Sequence, residues 1–340
     1  MDLKISGIRI ETENCKTFFF QANEMPVYKA GQFITFLFEN NGKEIRRSYS
    51  LSSTPAVDNF LSITVKRESN GLMSRWWIDK ATVGDTLTAL EPAGRFTIEA
   101  QDTLRDIFLA AAGSGIVPIY SIIKDLLLRE PASLVHLLYS NSEPASTIFI
   151  KELQSMEQRF ASSLRIQWFF SNQKNLSKAR LSTYSLQAIV TSELQYDLKR
   201  AIMYTCGPYD YMMMVQVTSL SLGFLKMNVR KELFEAHETV VEKKTYYDTT
   251  DRTMTIIVNG VRYELVVAYR QTILQAALSH GITIPYSCRA GKCSTCICKV
   301  LAGRVWMHNN EVLTEADEAM GYSLTCTGHP ASDGVVITIN

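Results

Sequence analysis

Pro285-Tyr286-Ser287-Cys288-Arg289-Ala290-Gly291-Lys292-Cys293-Ser294-Thr295-Cys296 is the stretch on which the reading of this 340-residue chain turns. Its three cysteines stand at C-x4-C-x2-C spacing, and a fourth, Cys326, follows after a gap of 29 residues. One loop supplying three thiolates and a distant strand end supplying the fourth is the ligand pattern of a [2Fe–2S] cluster. Gly291 and its small neighbours let the backbone wrap closely around inorganic sulfides, with N–H groups turned toward a negatively charged centre. A zinc site and a set of plain buried thiols are the competing readings. Zinc favours paired C-x2-C arms, which a C-x4-C gap does not supply. Cys288, Cys293, Cys296 and Cys326 are therefore the expected metal ligands, and the rest of the chain should explain where the electrons come from.

Working outward, S-C-R-x-G-x-C-x-x-C resembles the plant-type ferredoxin family, and the resemblance covers residues 253–340. That implies an α+β domain of β-grasp form. Residues 253–259 and 261–269 alternate around Asn259-Gly260, a hairpin dipeptide. A helix is expected over 272–280, stopped by Gly281. Cys298 reads as a buried thiol outside the ligand set. The segment carries six basic and six acidic side chains. A freely diffusing partner gains encounter rate from strong charge, whereas a tethered one needs none. Neutrality therefore fits electron transfer within one chain. The polar stretch 238–252 reads as the linker.

Composition sets the outer bounds. Seven cysteines, an odd number concentrated in one cluster, argue for metal ligation in a reducing compartment over a disulfide framework. The net charge of +1 offers no basic field for nucleic acid. No run of about 18 apolar residues could span a bilayer, and Met1-Asp2-Leu3-Lys4-Ile5 has no apolar signal core. The expectation is a soluble, cytoplasmic protein with neither nucleic-acid nor membrane partners. The five histidines (136, 237, 280, 308, 329) form no recognisable triad or metal pair and read as structural.

Residues 1–101 alternate in short apolar runs over 3–10, 16–21, 32–38, 45–51, 60–66 and 94–98, the pattern of an antiparallel barrel, with one helix over 72–80. Arg47-Ser48-Tyr49-Ser50 ends one strand. Arginine can grip a phosphate with its planar fork, tyrosine offers a flat face to a ring, and a serine hydroxyl can bond a ring nitrogen. Gly71-Leu72-Met73-Ser74 opens the helix, and its free N–H groups suit a phosphate. Lys66 and Arg67 border the same site, either as cofactor contacts or as solvated charge. Trp76 and Trp77 read as packing. Arg-x-Tyr-Ser, with Gly31-Gln32-Phe33 before it and Pro92-Ala93-Gly94-Arg95-Phe96 after it, resembles the ferredoxin–NADP reductase superfamily. The resemblance implies a flavin-binding barrel holding FAD, with FMN the alternative, contacted by Arg47, Ser48, Tyr49, Ser50, Lys66, Gly71, Met73 and Ser74.

From 102 to 237 the pattern becomes that of an α/β parallel-sheet nucleotide domain. A buried strand over 107–112 runs into Gly113-Ser114-Gly115-Ile116-Val117-Pro118 and a helix ending near Arg129. Strand, glycine turn and helix form a dinucleotide-binding arrangement, although G-x-G-x-x-P replaces the usual G-x-G-x-x-G. Strands over 133–140, 164–170 and 201–205 and helices over 147–156 and 210–220 continue it. Met212, Met213 and Met214 read as core filler. The reductase resemblance implies that Gly113, Ser114, Gly115 and Pro118 hold a nicotinamide nucleotide, with Cys206, Gly207 and Pro208 as the second anchor. It sets Cys206 against the reacting ring and Phe234 near the flavin; a buried thiol and core packing are the respective alternatives. NADPH or NADH should be decided at Ser140-Asn141-Ser142-Glu143. Ser140 and Asn141 could bond a 2′-phosphate and Glu143 would oppose it, with Lys178 or Arg180 able to reach in; the balance leans toward NADPH.

Taken together, the chain resembles flavin reductases with a C-terminal [2Fe–2S] domain, most closely the reductase components of phenylacetyl-CoA oxygenase (epoxidase) systems. The resemblance implies that a hydride from NAD(P)H passes to the flavin near Ser50, with Ser50 and Cys206 as catalytic residues. Electrons then leave singly through the cluster to a protein acceptor, an oxygenase component. A general electron donor to another acceptor, such as a hybrid-cluster protein or a desaturase, remains open, as does a redox sensor.

Overall fold

The computed structural model describes residues 1–40, 42–234 and 250–339. They divide into two compact units, Met1–Glu232 and Leu233–Asn340. Most of the expected linker, 238–249, lies outside the described residues. No described helix is long and apolar enough to cross a membrane.

The first unit begins with a curled antiparallel sheet. Strands β1 (Asp2–Thr12), β2 (Cys15–Gln21), β3 (Phe33–Asn40), β4 (Lys43–Ser50) and β5 (Leu61–Lys66) precede helix α1 (Leu72–Asp79) and strand β6 (Thr86–Thr88). The ladder order is β5-β2-β1-β6, with β3 and β4 as a separate hairpin. Single bridges Leu51↔Ile63 and Phe36↔Ala89 join the hairpin to the two outer strands, so the six strands close on themselves. Closure removes the exposed edges that an open sheet would present. Strand alternation turns Phe18, Phe20, Phe36 and Ile63 inward. Trp77 of α1 is fully buried among them, its ring 4.7 Å from Phe18, 5.2 Å from Phe36 and 5.8 Å from Tyr49. Trp76 is only partly buried and packs on the margin of the same core, its ring 5.2 Å from Trp77 and 5.7 Å from Phe38.

One expected strand is not formed. Residues 94–98 join no ladder; only the preceding Ala93 bridges Phe33. Gly94, at φ +120°, turns the chain out of the barrel. Phe96 and Ile98 instead bury themselves in the core of the following α/β layer.

That layer comprises β7 (Asp106–Ala112), α2 (Ile116–Arg129), β8 (Leu134–Asn141), α3 (Ile150–Arg159), β9 (Leu164–Phe170), α4 (Leu176–Ala179), α5 (Thr183–Glu193), β10 (Ile202–Cys206), α6 (Tyr209–Leu222) and β11 (Val229–Glu232). The sheet is wholly parallel in the order β11-β10-β7-β8-β9. Helix α2 is apolar almost all round because it is covered on both sides. One side meets the sheet. The other meets the barrel, where Ser121 Oγ donates to Ser53 O at 2.6 Å and Lys124 pairs with Asp58. Gly31 permits this approach: a Cβ there would lie 2.1 Å from Phe96 O and 2.8 Å from an Ile122 methyl. Neither α4 nor α5 was expected from the sequence. The α5 stretch TYSLQAIVTSE buries only Leu186 and Val190, so its helical period is faint.

The second unit is a mixed sheet ordered β13-β12-β18-β14-β16. Its elements are β12 (Arg252–Val258), β13 (Val261–Val267), α7 (Ile273–Ser279), β14 (Ile297–Ala302), β15 (Val305–Met307), α8 (Glu315–Ala319), β16 (Tyr322–Leu324), β17 (Gly328–Pro330) and β18 (Val335–Ile339). Asn259 and Gly260 both take positive φ, 48° and 82°, as a two-residue hairpin turn requires. Thr272 and Gln275 form a reciprocal capping box that starts α7. Ile273, Leu274, Ala276 and Ala277 of α7 pack onto Ile256 and Ile337, giving the β-grasp arrangement.

Candidate functional site

The sheet order explains why two loops far apart in sequence meet. β7 is flanked by β8 on one side and β10 on the other, so the turn directions reverse between β7 and β10. Open parallel sheets hold ligands at that point, beyond the carboxyl ends of the strands. Gly113-Ser114-Gly115 leaves β7 there and Cys206-Gly207-Pro208 leaves β10. A Cβ on Gly115 would lie 2.1 Å from Cys206 O and 2.8 Å from Gly207 N; one on Gly207 would lie 2.9 Å from Ala112 Cβ. Gly113 holds φ +54° and is open above, where the nearest atom to an added Cβ is Lys66 Nζ at 3.9 Å. A backbone turn with an ammonium across it suits a pyrophosphate. Pro118 is buried in the first turn of α2, and Ser140 lies near the end of β8, paired with Ala112. Asn141 O accepts from Ser171 N at 3.0 Å and Ser142 O from Asn172 N at 3.1 Å, which pins the end of β8. Glu143, Lys178 and Arg180 are exposed.

On the barrel side, Arg47 is exposed, with Nη1 donating to Arg46 O at 2.8 Å. Ser48 shares a 2.8 Å hydrogen bond with Thr35, and burial pushes the Tyr49 hydroxyl well above its ordinary range. Ser74 Oγ donates to Gly71 O and receives Glu68 N, both at 3.1 Å, and so folds the chain over the start of α1. Met73 is buried beneath it. Phe234 is half-exposed directly after β11.

Ser50 reveals a residue that sequence reading missed. Its hydroxyl donates to Glu232 Oε2 at 2.9 Å across 182 positions. Enclosure raises the Glu232 carboxyl to about 8, against the Ser50 bond that favours the anion. β11 pairs in register with β10, setting Glu232 opposite Cys206. Burial, with Glu232 nearby, holds the Cys206 thiol protonated. A hydroxyl, an enclosed carboxyl and a thiol thus gather at one sheet end. No local signal marked Glu232: it follows Arg230 and Lys231 in a short polar edge strand, and the barrel–sheet closure that matches it to Ser50 is not written in the local sequence.

In the second unit the four expected ligands do come together. Cys288 contacts the thiols of Cys293 and Cys326, and Cys296 contacts that of Cys326. Among the described residues no three His, Cys, Asp or Glu side chains converge on a single ion. Thiols that touch in pairs suit a two-iron cluster, which distributes four thiolates over two metals. Ala290 N and Lys292 N each donate to Cys288 Sγ at 3.4 Å. The neighbouring thiols of Cys293 and Cys326 hold Cys288 below the ordinary thiol range despite burial, and the two amides add to this. Arg289 and Gly291 take φ 54° and 72°, which turns these amides inward. Cys296 and Cys326 are 3% and 5% exposed, whereas Cys288 lies at the surface. Cys298 is buried in the core as a plain thiol.

Three domain families match the chain: "Oxidoreductase FAD-binding domain" over 2–98, "Oxidoreductase NAD-binding domain" over 109–217 and "2Fe-2S iron-sulfur cluster binding domain" over 256–331. The ferredoxin reductase component of 3-ketosteroid-9-alpha-monooxygenase from Rhodococcus rhodochrous is 31% identical, with 98% of this chain and 95% of that one covered. A 1,2-phenylacetyl-CoA epoxidase subunit from Escherichia coli (strain K12) is 30% identical over 98% of this chain and 96% of its own. In fold, the chain matches phthalate dioxygenase reductase with a TM-score of 0.61 at 23% identity, covering 100% of this chain and 98% of that one. The glycine cradle and the paired thiols fit the nicotinamide nucleotide and the cluster that these domains carry alongside FAD. The chain therefore belongs to the NAD(P)H-dependent flavin and iron–sulfur oxidoreductases, ferredoxin–NADP reductase-like flavoproteins with a C-terminal [2Fe–2S] domain.

Proposed function

We propose that the protein is the reductase component of an oxygenase system of the phenylacetyl-CoA oxygenase kind, acting in the reducing cytoplasm. The observation that carries this reading is the gathering of four thiols, with backbone amides aimed at Cys288, in the same chain as the Gly115–Cys206 cradle. Such a chain can accept a two-electron donor at one end and deliver single electrons at the other; when bound, the flavin supplies the two-to-one conversion. Near −400 mV, a cluster of this ligand type is low enough to reduce an oxygenase metal centre.

The chain's own residues orient and protect. Arg47, Ser48, Tyr49, Ser50, Gly71, Met73 and Ser74 would hold FAD. Gly113, Ser114, Gly115, Pro118, Gly207 and Pro208 would hold the nucleotide; Lys66, expected as a flavin contact, has its Nζ 3.9 Å from a Cβ built on Gly113 and could serve the pyrophosphate as well. Cys206, a neutral thiol, packs at the reacting end without adding charge. Ser50 Oγ–H donates to Glu232, whose own carboxyl, raised to about 8 by burial, also holds a proton at neutral pH. Ser140 and Asn141 could bond a 2′-phosphate, with Lys178 or Arg180 reaching in against the opposing Glu143, and the balance favours NADPH.

Anaerobic titration of the purified protein with NADPH and, separately, NADH tests the reading. Bleaching of both flavin and cluster bands at low excess of one nucleotide, followed by reoxidation on adding an oxygenase component, is expected. Bleaching by neither nucleotide removes the reductase reading.

A further inference from the structure

His308 and His329, which as sequence looked unrelated, form a pair: His308 Nδ1 lies 3.0 Å from His329 Nε2. Their tautomers follow from the partners. His329 Nδ1 is 2.8 Å from the Gln271 carbonyl oxygen and so must donate. Its Nε2 is then the bare acceptor, and His308 Nδ1–H is the donor. Burial, outweighing the Gln271 bond and with His308 beside it, lowers the His329 pKa, so that nitrogen stays bare. The pair sits where β15 meets β17, against Trp306, with ring centroids 6.4 Å and 5.5 Å away.

What the pair holds is a strap that lies on the cluster loop. His308 N donates to Thr327 O at 3.1 Å. Two of the next three residues, Asn309 and Glu311, then meet three consecutive loop residues. Asn309 Nδ2 donates to Ala290 O at 2.8 Å, Glu311 N donates to Gly291 O at 3.0 Å, and Glu311 Oε1 lies 3.3 Å from Lys292 Nζ. The fit is close, since a Cβ on Gly291 would lie 2.7 Å from Asn309 O. The loop residues gripped in this way include the two whose N–H groups donate to Cys288 Sγ.

We propose that the His308–His329 pair anchors the 308–311 strap, and that the strap fixes the Ala290 and Lys292 amides on the Cys288 sulfur and so raises the reduction potential of the cluster. The proposal rests on the assignment of Cys288, Cys293, Cys296 and Cys326 as ligands. Reduction adds negative charge to the cluster, and hydrogen bonds to its sulfurs favour the more negative state. His308 and His329 are positioning residues: they touch the strap and act through it.

The test is an EPR-monitored redox titration of the full-length holoprotein. His308→Ala removes the donor to His329 and should lower the potential by up to tenfold in the one-electron equilibrium, about 59 mV. His308→Asn restores an N–H donor near the position of Nδ1 and should keep the wild-type potential and g values. Asn309→Ala cuts the strap's own bond to Ala290 and should lower the potential with the histidine pair intact. An unmoved potential in either alanine variant, or an equal fall in His308→Asn and His308→Ala, overturns the proposal. Should His308→Ala retain no cluster, Asn309→Ala decides alone. Absence of any reduced-cluster signal in the wild type would overturn the ligand assignment instead.

Discussion

The Glu232 carboxyl offers the sharpest test of the reductive site. Ser50 donates to it at 2.9 Å, and enclosure still raises it from 4.5 to about 8. At about 1.4 kcal/mol per pH unit, that rise corresponds to roughly 5 kcal/mol of preference for the protonated form. The residue is only half-buried overall, so solvent screening makes this an upper bound. The folded protein binds this proton more tightly than the unfolded chain does. Glu232 therefore contributes stability that is fully present below pH 4.5 and is lost as pH rises through about 8. A hydrogen bond to a charged acceptor contributes about 1.5–3 kcal/mol. Ser50→Ala should accordingly raise the carboxyl by a further one to two pH units. Infrared difference spectra recorded between pH 5 and 10 would follow the protonated carboxyl band, with Glu232→Gln as the blank. Thermal unfolding over the same range should show a loss of stability with pH that is flattened in Glu232→Gln. A band that titrates in the ordinary carboxylate range, or one that moves down in Ser50→Ala, would refute the enclosure argument.

Other outcomes follow from the same structure. Cys293→Ser should abolish transfer to one-electron protein acceptors while leaving nucleotide oxidation by ferricyanide largely intact, as steady-state assays with the two acceptors would show. Gly115→Ala drives a methyl into the Cys206 carbonyl, where only backbone could yield; it should weaken nucleotide binding at least tenfold and destabilise by about 1–3 kcal/mol, read by titration and thermal melts. Arg105 and Glu130 form a two-pronged pair, both contacts 2.9 Å, with each side chain 4% exposed. Glu130→Gln leaves a buried guanidinium without its counter-charge and should cost about 3–5 kcal/mol in denaturant unfolding.

Where recognition is local, the sequence was informative. The cluster loop, the Asn259-Gly260 turn, the Gly113–Pro118 turn and the Arg47–Ser50 strand end each carry their geometry within a dozen residues. Backbone conformation and side-chain chemistry are specified together at such sites, so spacing alone located the turns and the cysteines that gather. Residues 94–98 misled for a related reason: alternation records that side chains are buried, not which core buries them. Phe96 and Ile98 keep the period of a strand while packing against the neighbouring layer. Helix α5 escaped notice because few of its residues are buried, leaving little amphipathic signal.

By itself, then, the sequence indicated the order of barrel, nucleotide layer and cluster domain, which the three family matches bear out, and picked out four thiols that the fold brings together. Tertiary structure alone decided which distant groups share a proton or a carbonyl. Ser50 meets Glu232 because the barrel and the parallel sheet pack through α2. Gly115 meets Cys206 because the strand order reverses at β7. His308 meets His329 because β15 pairs with β17. Contacts of this kind depend on register and packing summed over a whole domain, and no short window of sequence carries that information.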